Sequence, residues 1–154
     1  MSLLFQSKTK IRYFLSIHAL FSSVYAPIKY GNIDLFKSGL SMYQKAIVRT
    51  PSSSLINGLT TSAALGKPNY ELALIQHQNY ISALSQCNLE VTILPALESY
   101  PDSCFVEDVA LLTAKMALLT RPGATSRQGE VDEIEPHIKP FYKHNIGKIT
   151  NPGT

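Results

Sequence analysis

The stretch CFVEDVALLTAKMALLT, from Cys104 to Thr120, decides the fold class of this chain. It holds two apolar runs, CFVEDVALLT and MALLT, which are separated only by the dipeptide Ala114-Lys115. This pattern predicts a β-hairpin, although Ala-Lys is not a favoured turn pair. If the first strand were regular, its alternation would send the adjacent carboxylates Glu107 and Asp108 to opposite faces.

The segment after the hairpin has the charge pattern of a helix. Acidic residues come early and basic residues late, as the helix dipole prefers; they are Glu130, Asp132, Glu133, Glu135, Lys139, Lys143 and His144. Pro136 and Pro140 predict a kink or an early end, because an interior proline removes a backbone donor and costs roughly 3 kcal/mol. A strand is predicted from Gly147 to Thr150, so this half of the chain forms a ββαβ unit.

The part before the hairpin predicts a strand, a helix and a second strand. The strands are Lys45 to Thr50, KAIVRT, and Leu89 to Leu94, LEVTIL. A stripe at steps of three and four predicts a helix from about Asn69, formed by Tyr70, Ala73, Leu74, His77, Tyr80, Ile81 and Leu84. His77 is therefore interpreted as a packed histidine. The order indicates a parallel crossover, and the loop 52–68 is either a binding lid or a plain connection.

These patterns predict an α/β fold with two domain segments, 1–41 and 42–154. The first is a leader or an upstream extension, whose apolar run from Tyr13 to Ala26 imitates a signal peptide but is interrupted by His18. A transit peptide and an extension upstream of a natural start at Met42 are the alternatives, and the last is favoured. The second segment leaves open sheet edges, which indicates part of a larger fold capable of self-association.

Composition narrows the class of function. The net charge of +3 comes from basic residues ahead of the first acidic one, Asp34, so no nucleic-acid footprint is predicted. The apolar run is too short to span a membrane. Cys87 and Cys104 have no metal-ligand spacing, and two cysteines fit a reducing, cytoplasmic compartment. Secretion or an organelle is the alternative if residues 1–26 act as a targeting peptide.

The stretch YPDSCFVED, from Tyr100 to Asp108, groups three carboxylates around an aromatic side chain. Asp102, Glu107 and Asp108 could hold a planar guanidinium through paired, charge-assisted hydrogen bonds. The alternative is that they cap a turn or pair with the nearby arginines of the loop RPGATSR, residues 121–127.

The ordered blocks AIVRTP, LGKP, QHQNYISAL, PDSCFVEDV and TRPGATSR resemble those of dimethylarginine dimethylaminohydrolases. The resemblance implies a guanidino-modifying enzyme of arginine metabolism and nitric oxide regulation. It would convert asymmetric dimethylarginine and monomethylarginine to citrulline and a methylamine, with a small-molecule substrate and no cofactor or metal. The implied fold is an α/β propeller of ββαβ modules, of which this chain would hold about two of five.

The resemblance also implies the roles of six residues. Glu107 and Asp108 look like ligands of the guanidino group, and Phe105 would pack beside the substrate. A guanidinium carbon becomes a useful electrophile when its charge is kept and its plane is fixed, and carboxylates do both.

The other three residues would hold the amino-acid end of the substrate. Asp102 would face its α-amino group, Arg127 would bind its carboxylate, and Leu59 resembles the leucine of the lid loop.

No catalytic residue is predicted within this chain, because the family's nucleophilic cysteine and catalytic histidine are expected downstream. Cys104 lies at a position without a covalent role, and Cys87 is interpreted as a core residue. Two alternatives remain: an inactive remnant or association fragment, and a relative of the arginine deiminases or amidinotransferases, against which the FVED motif argues.

Overall fold

The computed structural model describes residues 43–151 and 153, so the predicted leader, 1–41, lies outside the described residues. The described residues belong to two compact units. Thr60–Lys67 belongs to one of them and contains a single 3-10 turn at Ala63–Leu65. The other unit, 43–59 with 68–153, contains all the helices and strands discussed below.

The first half of this larger unit is the predicted strand, helix and strand. Strand β1 is Lys45–Arg49, helix α1 is Tyr70–Gln86 and strand β2 is Glu90–Leu94. The two strands pair in parallel. Asn69 caps α1, where its side chain accepts a hydrogen bond from the Leu72 amide at 2.8 Å.

The second half is the predicted ββαβ unit. Strands β3, Ala110–Leu112, and β4, Ala117–Leu119, form an antiparallel hairpin. Helix α2, Glu130–Tyr142, leads to strand β5, Ile146–Lys148, which pairs in parallel with β4. The fold class predicted from the sequence is confirmed at this level.

Thr113 explains how Ala114-Lys115 can turn the chain. Its backbone amide donates to the carbonyl of Met116 at 3.0 Å, and its hydroxyl donates to the same oxygen at 2.8 Å. The hydroxyl also accepts the Met116 amide at 3.0 Å. A threonine side chain thus supplies the turn stability that an unfavoured central pair lacks.

The FVED segment is not a strand. Val106–Asp108 form one turn of 3-10 helix, and β3 begins only at Ala110. The Asp108 amide donates to the carbonyl of Phe105 at 3.1 Å, which is a local bond and not a ladder bond. The predicted alternation of Glu107 and Asp108 across a strand is therefore wrong.

Helix α2 contains both prolines and ends at neither, so the early end is wrong. Tertiary packing outweighs the local cost, because Ile134 and Ile138 on this helix are 2% and 0% exposed. Beyond the second proline, the hydroxyl of Tyr142 donates to the Thr113 carbonyl at 2.8 Å and fastens the helix end to the hairpin turn.

One apolar cluster joins the two halves of the larger unit. It contains residues from β2, β3, β4 and α2 and the residue that precedes β3, namely Leu94, Val109, Ala110, Ala117, Leu119, Ile134 and Ile138. A smaller cluster, Val48, Ile81 and Leu84, packs α1 on β1. Across residues 43–151, neither helix has the length and apolar character needed to cross a bilayer.

Replacing Ile138 by alanine tests whether the shared cluster holds the unit together. The side chain is fully buried, so the free energy of unfolding should fall by about 2–5 kcal/mol. Urea denaturation followed by circular dichroism measures it. The matched control is Ile75→Ala on α1, where the side chain is 59% exposed and the change should stay within about 0.5 kcal/mol. Equal losses in the two variants would contradict this core.

Candidate functional site

The guanidinium of Arg127 is the centre of the polar contacts near the FVED turn. Arg127 ends the 3-10 turn Thr125–Arg127, just before α2 begins at Glu130. Its Nε donates to Glu130 Oε1 at 3.0 Å and its Nη2 to Glu130 Oε2 at 2.8 Å. Its Nη1 donates to Asp108 Oδ2 at 2.8 Å, and Nη2 also donates to the Asp102 carbonyl at 3.2 Å.

These contacts keep Arg127 charged. Its side chain is 13% exposed and that of Glu130 is 2% exposed. Burial by itself acts to lower the pKa of Arg127, but the hydrogen bonds that Arg127 donates to Glu130 and Asp108 outweigh burial and raise the pKa. The guanidinium therefore remains a permanent cation at the edge of the site.

Asp108 is anchored on one side and accessible on the other. Its carboxylate pairs with Arg127, yet 34% of the side chain is exposed. Its carbonyl accepts a hydrogen bond from the Thr120 hydroxyl at 2.6 Å, which ties the FVED turn to the end of β4. The carboxylate is thus held in place without being hidden. This ion pair agrees with the alternative prediction, in which a carboxylate of the stretch 100–108 pairs with an arginine of the loop 121–127.

Asp102 links the loop after β1 to the same set of residues. The residue is 7% exposed, and its Oδ2 accepts the Leu59 amide at 3.0 Å. Gly58 makes this approach possible, because a Cβ at that position would lie 2.7 Å from Asp102 Oδ1. Leu59 itself keeps 60% of its surface exposed.

The structure brings five of the six sequence-predicted residues into one connected set. Phe105 joins it through its backbone, where its amide donates to the Asp102 carbonyl at 3.0 Å and its carbonyl accepts the Asp108 amide at 3.1 Å. Glu107 is the middle residue of the 3-10 turn Val106–Asp108. It is exposed, and its charge, after burial, helps to raise the pKa of Tyr80 on α1.

Sequence reasoning missed two buried charges beside the site. Glu130 was interpreted only as a favourable charge at the start of a helix, although its i,i+3 spacing from Arg127 was a usable signal. Arg49, 3% exposed, donates to the carbonyls of Pro95 at 3.0 Å and Glu133 at 3.3 Å. The position of Arg49 inside an apolar strand gives no local indication that its charge is buried.

Burial changes the pKa of two further side chains, Arg49 and His77. Burial lowers the pKa of Arg49, against the opposing charges of Glu133 and Glu130. Burial also lowers the pKa of His77, against a hydrogen bond to the Arg49 backbone. His77 is half-buried, in agreement with its interpretation as a packed residue.

Metal ligands and disulfides are the other two features to consider in residues 43–151. Residues 43–151 contain no cluster of three His, Cys, Asp or Glu side chains arranged to hold a metal. Neither Cys87 nor Cys104 forms a disulfide, both are half-buried, and Cys87 is the C-cap of α1.

Two curated relatives carry the same name. The chain is 50% identical over 113 residues to N(G),N(G)-dimethylarginine dimethylaminohydrolase of Pseudomonas aeruginosa, which covers 73% of this chain and 44% of the relative. It is 40% identical over 111 residues to the protein of that name from Streptomyces coelicolor, covering 72% and 43%. The chain thus spans less than half the length of the curated relatives it matches. No family model matches it.

Solved structures agree with these relatives. A mutant of the Pseudomonas aeruginosa enzyme in complex with citrulline superposes with a TM-score of 0.71 at 50% identity, over 73% of this chain and 44% of that one. A dimethylarginine dimethylaminohydrolase adduct with S-methyl-L-thiocitrulline superposes equally well. AgrE, 18% identical with a TM-score of 0.54, shares the fold alone. Over 73% of its length, this chain is therefore homologous to dimethylarginine dimethylaminohydrolases and has an α/β, pentein-like fold.

Proposed function

We propose that this chain carries the substrate-binding part of an enzyme that hydrolyses Nω-methylated arginines to citrulline and a methylamine. The observation that carries the proposal is the chain of contacts from Leu59 through Asp102 to Arg127 and Asp108. It pairs a largely buried cation, Arg127, with a partly exposed carboxylate, Asp108, at 2.8 Å. A methylated arginine has the complementary charges, a carboxylate at one end and a guanidinium at the other.

The guanidino end of the substrate is assigned to the FVED turn. Asp108 would hold it by a charge-assisted hydrogen bond, and the pairing with Arg127 keeps that carboxylate in a single orientation. Glu107, on the same turn, would supply a second carboxylate, and Phe105 would flank the planar group. Ligands in two related structures, citrulline and S-methyl-L-thiocitrulline, support a pocket for a planar group of this size.

The amino-acid end is assigned to Asp102, Arg127 and Leu59. Arg127 uses four of its five N–H donors within the protein, which leaves one hydrogen on Nη1 for a carboxylate. Asp102 would meet the α-amino group while it holds the Leu59 amide. Leu59, with its exposed side chain, would cover the ligand as a lid residue.

We further propose that these 154 residues bind without turning over substrate. In the family's chemistry a thiolate attacks the guanidinium carbon, a histidine protonates the departing amine, and water releases citrulline. Neither the attacking cysteine nor that histidine is assigned here, and no cofactor is invoked. The two halves of the larger unit would be two modules of a propeller, in a cytoplasmic protein.

A second candidate function is association with other chains as an inactive remnant. Exposed apolar side chains on the strands favour it, since Ile93 on β2 is 51% exposed and Leu111 on β3 is 50% exposed. Self-association would cover such residues.

Calorimetric titration of the full chain with asymmetric dimethylarginine separates these functions. We expect saturable binding, together with no citrulline in a colorimetric assay of the same mixture. Citrulline formed by the chain alone would contradict binding without turnover. Heat that does not saturate would contradict the binding assignment and leave the association fragment as the better account.

Asp108→Asn tests the guanidino assignment. The variant removes one charge at nearly constant shape, so affinity for cationic asymmetric dimethylarginine should fall by about tenfold to a hundredfold. Affinity for neutral citrulline should fall less. The matched control is Asp132→Asn, an exposed acid on α2 that changes the net charge equally. Equal losses for the two ligands would show that Asp108 does not hold the guanidino group.

A further inference from the structure

Glu130 is a buried carboxylate whose two oxygens face one partner. It is the first residue of α2, with a side chain 2% exposed, and it accepts from Nε and Nη2 of Arg127 at 3.0 and 2.8 Å. This is the paired fork arrangement of a guanidinium and a carboxylate. Because a buried carboxylate without its partner is costly, the pair is held together strongly.

The fork fixes a plane, and the plane decides where the remaining donors point. Two hydrogen bonds on the Nε–Nη2 edge remove the freedom of the guanidinium to rotate. On its other edge, Nη1 donates to Asp108 at 2.8 Å. The donor left over, the second hydrogen of Nη1, therefore takes its direction from Glu130.

We propose that Glu130 is a positioning residue that aims Arg127 at the α-carboxylate of the ligand and so sets the preference for ligands that have one. This inference rests on the proposed function, which assigns that carboxylate to Arg127. Glu130 does not touch the ligand itself. It acts by fixing the plane of Arg127.

The charge of Glu130 also acts on a second arginine, Arg49. Arg49, also buried, has Glu133 and then Glu130 as the charges that oppose the effect of its burial. Glu130 thus pairs with Arg127 and also acts electrostatically on Arg49. A purely structural role would weaken the binding of every ligand alike, whereas a positioning role weakens only ligands that have a carboxylate for Arg127.

The test compares two ligands on the full chain by calorimetric titration. One is asymmetric dimethylarginine, and the other is the analogue in which hydrogen replaces its α-carboxylate. Glu130→Gln keeps the shape but presents an amide donor to a guanidinium donor, so binding of the first ligand should weaken by about tenfold or more. Binding of the carboxylate-free analogue should change less than about threefold.

A second variant and a control keep the test decisive. Glu130→Asp retains the charge with a shorter reach, so it should recover part of the lost preference, and it alone decides the question if Glu130→Gln does not fold. Asp132→Asn, an exposed acid in the same helical turn, should leave both affinities unchanged. In an Arg127→Ala background, Glu130→Gln should no longer alter the ratio of the two affinities.

The outcomes separate the two proposals. Wild-type protein that binds neither ligand overturns the proposed function and this role together. Wild-type protein that binds both, with Glu130 variants that lose both equally or lose neither, overturns only the role of Glu130. A loss confined to the carboxylate ligand supports it.

Discussion

A largely buried guanidinium just before helix α2 organises the candidate site. Arg127 must find acceptors for its donors because water reaches little of it, and those acceptors come from three parts of the chain. Glu130 comes from the helix, Asp108 from the FVED turn and Asp102 from the preceding turn. Satisfying one cation thus joins the segment 102–108 to the start of α2.

The same requirement explains why the FVED segment turns instead of extending. A regular strand would separate neighbouring carboxylates across two faces, and Asp108 reaches Arg127 from a turn of 3-10 helix. The turn is supported by the Thr120 hydroxyl on the Asp108 carbonyl and by Val109, whose side chain is 2% exposed in the shared core. The apolar core and the polar site are therefore joined at consecutive residues.

Much of the architecture could be predicted from local pattern. The period of α1, its Asn69 cap and the hairpin runs all depend on interactions within a few residues, and all are present in the structure. Asp102, Phe105 and Asp108 fall together because they belong to one compact motif, whereas Leu59 and Arg127 reach it through tertiary contacts. Glu107 lies on the same turn as Asp108 and is exposed.

What the sequence by itself determined is the order of elements, the class of fold and the chemical types grouped near Phe105, because period, caps and turn residues act locally. Only the tertiary structure decided which charges meet. Arg49 lies in an apolar strand and Glu130 at the start of a helix. Neither local sequence predicts that the charged side chain is buried. Their roles arise because packing removes water from both, and a charge without water must find a partner wherever the fold brings one.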